Sequence, residues 1–296
     1  MKKGIAAILL LLLLAGLLGW LVASYHIIDR QLYPKNEEVL DLRGKELTVE
    51  KYESIQEKMP ETKILWNVPF QQGKLANDVA EIIVTSLSEE DVQILAEYFP
   101  NLQTVQGESC KDYAELAYLR DLRPDVNINY IVELNGTAYP NDVGQVTVAG
   151  ITEQEIQRLP YLPALKAMTV TGGETDALQM LLAYCREQDI AVAVKLQGQE
   201  VPPETETLEL EGLTDQEIGV ISLLEKLKTV HIRFPEADAA SLLQLRETCP
   251  EVQITWEREL CGTVVSSASV SGELDLSETE ISSLETLEEE LAYFPE

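Results

Sequence analysis

Hydrophobic and polar residues alternate along four stretches of the chain that recur at nearly constant distance. Their apolar positions are Ile64, Trp66 and Val68; Val126, Ile128, Tyr130 and Val132; Ile190, Val192, Val194 and Leu196; and Val252, Ile254 and Trp256. Period-two alternation rich in β-branched and aromatic residues predicts a strand with one buried face. A turn signal follows each strand: Asn135-Gly136 in the second stretch, Cys261-Gly262 in the fourth, and Gly73 and Gly198 near the same phase in the others. Asn-Gly is a strong hairpin signal because both turn positions need φ > 0. Each return strand leads to another, with Ile82 and Val84, Val146 and Val148, Leu208 and Leu210, or Leu274 and Leu276.

The period then lengthens to three or four, as in Val92, Leu95, Ala96 and Phe99 or Ile218, Ile221 and Leu224, which predicts helices with one buried side. Four pairs mark where these helices begin: Ser88 with Asp91, Thr152 with Glu155, Thr214 with Glu217, and Ser282 with Glu285. A hydroxyl at the cap and an acid three residues on satisfy orphan N–H groups and oppose the helix dipole, worth ~1 kcal/mol per site. The helices stop near Pro100 or Pro163, since proline cannot continue them. A further strand follows (Leu102 and Val105; Leu165, Met168 and Val170; Leu227, Val230 and Ile232), then a second helix through Leu116, Leu119 and Leu122 or Leu242, Leu245 and Cys249.

Units begin at Glu61, Asp125, Asp189 and Glu251, separated by 64, 64 and 62 residues. Such a period implies blocks that bury their apolar sides against one another, and stacked blocks more often make binding surfaces than catalytic pockets. A half unit over 38–60, with Val49, Tyr52, Ile55 and Met59 on one helix face, precedes units 61–124, 125–188, 189–250 and an incomplete 251–296. No Gly/Ser-rich or Pro-rich linker divides them. The runner-up architecture is a row of separately folded α+β modules.

The stretches Leu208–Thr214 (LELEGLT) and Leu274–Ser282 (LDLSETEIS), with Leu227–Ile232 (LKTVHI) after the intervening helix, resemble the core of leucine-rich repeats. The likeness covers roughly residues 38–296 and implies an α/β repeat solenoid of strand-helix units, here with an extra β-hairpin per ~64-residue repeat. A membrane-anchored bacterial surface type is the variety it suggests.

The N-terminal run changes the picture of location. Gly4 to Ser24 is uninterruptedly small or apolar behind Lys2 and Lys3. At ~1.5 Å per residue it would rise ~30 Å, a bilayer's hydrocarbon thickness. The expected organisation is a cytoplasmic tip (1–3), a transmembrane signal-anchor (4–24), a juxtamembrane linker (25–37) and an extracytoplasmic repeat domain (38–296). The alternative is secretion after cleavage of a signal peptide near Val22-Ala23-Ser24.

Composition narrows the partners. Fifty-one acids against 22 bases give a net charge of −29, which excludes a nucleic-acid-binding surface. No calcium-loop, CxxC, HExxH or phosphate-loop pattern occurs, so no cofactor or metal is expected. Only His26 and His231 could serve as imidazole bases, leaving little material for a nucleophilic triad. Cys185 and Cys249 fall on apolar helix faces as core thiols, whereas Cys110 and Cys261 lie in turns where pairing stays open. Trp66, Tyr130 and Trp256 could form a sugar-stacking ladder but share the inward phase of their strands, which favours core packing.

The outward alternate positions form the candidate binding face: Asp41, Ile83, Gln106, Thr147, Thr169, Glu209, His231 and Asp275. The expected function is a non-catalytic, membrane-anchored extracytoplasmic scaffold that binds a protein or envelope polymer, with the bilayer engaged through 4–24 and self-association through an uncapped C-terminal end. Two alternatives remain: an envelope glycan or peptidoglycan hydrolase using paired carboxylates, and a structural stalk of a longer protein.

Overall fold

The computed structural model describes residues 2–28, 30–233, 239–260 and 263–267. The chain forms two compact units, Met1–Tyr130 and Ile131–Glu296.

The first unit opens with α1 (Lys2–Ser24), followed at once by an antiparallel hairpin of β1 (Tyr25–Ile28) and β2 (Gln31–Pro34) in which Tyr25 faces Pro34. The segment expected to be a linker therefore carries structure, with Ile28 and Tyr33 buried. Next, β3 (Val39–Asp41) and β4 (Lys63–Leu65) pair in parallel around α2 (Val49–Lys58), whose cap Thr48 accepts a bond from the Lys51 amide. An antiparallel hairpin of β5 (Asn67–Phe70) and β6 (Gly73–Ala76) follows. Trp66 interrupts the strand between β4 and β5. Asn77 substitutes for a ladder partner there: its Oδ1 accepts from the Trp66 amide at 3.0 Å and its Nδ2 donates to the Ile64 carbonyl at 2.9 Å.

The unit ends in β7 (Glu81–Ile83), α3 (Glu89–Tyr98), β8 (Thr104–Gly107), α4 (Tyr113–Leu122) and β9 (Asn127–Leu134), with the three strands parallel and adjacent. Strand β9 carries the chain into the second unit, where Asn135 and Gly136 turn it at φ 46° and 73° into antiparallel β10 (Thr137–Pro140).

The second unit then builds this arrangement twice more. One copy is β11 (Gln145–Val148), α5 (Glu153–Ile156), β12 (Ala167–Val170), α6 (Thr175–Glu187), β13 (Ala191–Leu196) and β14 (Gln199–Val201). The other is β15 (Thr207–Leu210), α7 (Asp215–Ile221), β16 (Thr229–Arg233), α8 (Ala239–Thr248), β17 (Gln253–Leu260) and β18 (Thr263–Ser266). In each, three parallel strands are closed by an antiparallel return strand. Helix α5 is a single turn followed by a 3-10 turn at Leu159–Tyr161, so it stops short of the proline at 163. Ser88, Thr152 and Thr214 each form a full capping box with Asp91, Glu155 and Glu217. The expected strand at Leu274 and Leu276 and the cap at Ser282 and Glu285 lie outside the described residues.

Two expectations are corrected. The repeat solenoid is replaced by a mixed α/β fold of small separate sheets. A solenoid needs one parallel ladder running from repeat to repeat; here the edge of β13 that a following repeat would extend is occupied by β14, and that of β17 by β18. The hairpin that distinguished this chain's repeat is what stops the ladder. The transmembrane signal-anchor is likewise not supported: among the described residues no helix is long and apolar enough to cross a membrane. The single-pass placement, with a cytoplasmic N-terminus and an extracytoplasmic remainder, loses its basis with that span.

Candidate functional site

Successive crossovers in one direction across a parallel sheet are right-handed in ~98% of cases and place their helices on the same face. Accordingly α3 packs beside α4, α5 beside α6 and α7 beside α8. Inward residues such as Val146, Val148, Met168, Val170 and Val194 are buried. The alternate residues occupy the opposite face, where Gln145, Thr147, Thr207 and Glu209 are exposed.

The expected binding residues divide among the sheets by register. Ile83 lies opposite Gln106, which lies opposite Asn129. Thr147, Thr169 and Ala193 form the same row one sheet on. Glu209, His231 and Thr255 form it in the last sheet. Asp41 ends β3 opposite Leu65, apart from these rows, and Asp275 lies outside the described residues. Asn129, Ala193 and Thr255 were missed, although each has the outward phase of its strand; counting three parallel strands per sheet would have found them.

The rows differ in chemistry. Ile83 is 76% exposed, unusual for a large apolar strand residue, beside a shallow cavity of about 300 Å³ shared with Gln106 and Glu108. In the last sheet, Arg233 Nη2 meets Glu209 Oε2 at 3.2 Å, while His231 Nδ1 lies 2.9 Å from Thr255 Oγ1 and Nε2 lies 3.8 Å from Glu257. These groups suit recognition of a polar backbone or side chain. Asp41 is held at about 2 by the Arg43 side chain and backbone amide.

The middle row borders a larger cavity of about 550 Å³, lined by Ala167, Thr169, Ala191, Ala193, Glu200 and Glu204 among others. Thr169 is only 5% exposed. Of the three buried polar residues, Thr62 donates to the Glu37 carbonyl and Asn77 bonds twice to backbone, but the Thr169 hydroxyl has no hydrogen-bond partner among the described residues. Burial of this kind depends on neighbours distant in sequence and gives no local signal.

Trp66, Tyr130, Val194 and Trp256 are each at most 1% exposed, so the aromatic series belongs to the interior. Cys110, Cys185 and Cys249 are free and buried; Cys261 lies outside the described residues. Among the described residues, no three His, Cys, Asp or Glu side chains are grouped to hold a metal ion.

No family profile matches the chain, and neither a curated protein nor a solved structure is significantly similar to it.

Proposed function

We propose that this protein is a non-catalytic binding protein that takes an extended polypeptide or polymer along the helix-free faces of its parallel strands. The observation that carries this reading is the uncovered face itself. Strands paired in parallel are usually covered on both faces, yet here the rows of parallel strands led by Ile83, Thr147 and Glu209 have their first residue exposed. Their mixed apolar, hydroxyl and charged character fits an elongated partner better than a small apolar molecule.

The test is to probe the full chain against arrays of peptides and glycans, beside a variant carrying Ile83→Asp and Glu209→Arg and a control carrying Glu187→Arg on the exposed side of α6. Binding partners should lose at least ~10-fold in affinity with the double variant, equivalent to ~1.4 kcal/mol, and be retained by the control. Equal binding by all three proteins would overturn the proposal, as would the absence of any ligand.

A further inference from the structure

The cavity beside the middle row has features of a built site. Its floor uses Ala167, Ala191 and Ala193, side chains small enough to leave room above the strands, and about 550 Å³ falls within the usual range for ligand pockets. Thr169, only 5% exposed as a residue, lines the cavity, and its hydroxyl has no partner among the described residues. An incoming polar group could supply that hydrogen bond.

The charge around the cavity selects the kind of group. Asp189, Glu200 and Glu204 line it and form no ion pair among the described residues. Of the two bases there, Arg186 is already paired with Glu225 at 3.2 Å, leaving Lys166 as the opposing charge. Excess negative charge remains, in a chain whose net charge is −29. We propose that this cavity binds a protonated amine, carried by a lysine of an extended basic peptide, with the Thr169 hydroxyl accepting a hydrogen bond from the ligand and Glu200 and Glu204 facing its charge.

This assignment rests on the polypeptide-binding reading but concerns a separate set of residues. The experiment titrates the full chain with acetyl-Ala-Lys-Ala-Lys-Ala-amide, its Glu-for-Lys counterpart and spermidine, following binding by calorimetry. The lysine peptide should bind at least ~10-fold more tightly than the glutamate peptide. Ala193→Leu, which fills the floor, and the pair Glu200→Gln with Glu204→Gln should each weaken it ~10-fold or more. Thr169→Val, nearly isosteric, should weaken it ~3- to 10-fold while the melting temperature holds or rises, so lost affinity is not lost folding. Equal binding of the two peptides, or indifference to Ala193→Leu and Thr169→Val, overturns the site. Tighter binding of spermidine than of the lysine peptide overturns its assignment to a polypeptide. Loss of peptide binding with Ile83→Asp and Glu209→Arg but not with the cavity variants removes the cavity and leaves the broader reading standing; the reverse pattern removes the broader reading and leaves the cavity.

Discussion

Gln197 Nε2 donates to Glu217 Oε1 at 2.7 Å, tying the turn between β13 and β14 to the capping box of α7 in the next sheet. Gln197 Oε1 also accepts from the Glu211 amide at 2.7 Å. Equivalent ties recur: Gln71 Nε2 donates to the Ser86 carbonyl at 2.8 Å, and Glu155 accepts from the Asn135 amide. All three turn residues have positive φ. Where the backbone ladder stops, these side chains take over. Gln197→Ala should destabilise the protein by ~1–2 kcal/mol, read as a lower urea midpoint, whereas Gln197→Gly should cost less because glycine relieves the positive φ. Identical midpoints for wild type and Gln197→Ala would show that the tie contributes nothing.

Thr152→Ala should cost ~1 kcal/mol, because the hydroxyl accepts from the Glu155 amide and donates to the Glu155 carboxylate. Burial alone would raise the Glu155 carboxyl, but bonds from the Asn135 and Thr152 amides and the Thr152 hydroxyl, with the Arg158 charge, leave it below its ordinary 4.5. Carboxyl titration by NMR should show Glu155 moving upward in the Thr152→Ala protein.

Asp41 makes a pH-dependent contribution. The Arg43 side chain and amide lower its pKa from 3.8 to about 2 in the folded chain. A carboxylate depressed by folding stabilises above its unfolded pKa and loses that contribution as pH falls through the folded one. The stabilising effect should therefore be complete above about pH 4 and fade toward about pH 2. Urea midpoints at pH 5, 3 and 2 should decline less in Asp41→Asn than in wild type. The pair is exposed, so the difference should be small.

Tyr52 stacks on Trp66 with centroids 4.4 Å apart and planes 11° from parallel, and Tyr98 meets Trp66 edge-on. Trp66→Ala should cost ~3–5 kcal/mol. Trp66→Phe should cost no more than ~2 kcal/mol, because the buried indole N–H has no acceptor among the described residues and its removal breaks no hydrogen bond. Equal losses in the two variants would show that ring volume is not the main contribution.

Cys185 is fully buried among Leu178, Leu181 and Leu182, and burial pushes its thiol up to about 11. In the folded protein at pH 8, iodoacetamide should label Cys110, Cys185 and Cys249 slowly, with labelling accelerating only on unfolding. Peptide-level mass spectrometry reads each site. Rapid native labelling of Cys185 would show that the adjoining cavity reaches the thiol.

Much of the local structure was legible because its causes are local. Ser88, Thr152 and Thr214 mark helix starts because a hydroxyl and an acid three residues on satisfy the same few amides wherever the helix later packs. Asn135-Gly136 marks a hairpin because two adjacent positive φ values demand such residues. Alternation also assigned the interior correctly to Trp66, Tyr130 and Trp256. The candidate face was partly legible: Glu209 with His231 and Thr147 with Thr169 are true cross-strand neighbours.

By itself, the sequence determined the type of most elements between Val39 and Trp256, the buried side of most of them and the recurrence of the same strand-helix order, since these follow from residue spacing and short-range bonds; it did not show the hairpin over Tyr25–Pro34. Tertiary structure alone decided where each ladder ends. A regular period is compatible with either one continuous sheet or several closed ones, and the choice depends on whether the edge of β13 pairs with its own return strand or with the next block. It likewise decided that Thr169 would be buried beside a cavity, because Thr169 sits on a central strand flanked by β11 and β13, while the alternation of its own strand reads as open.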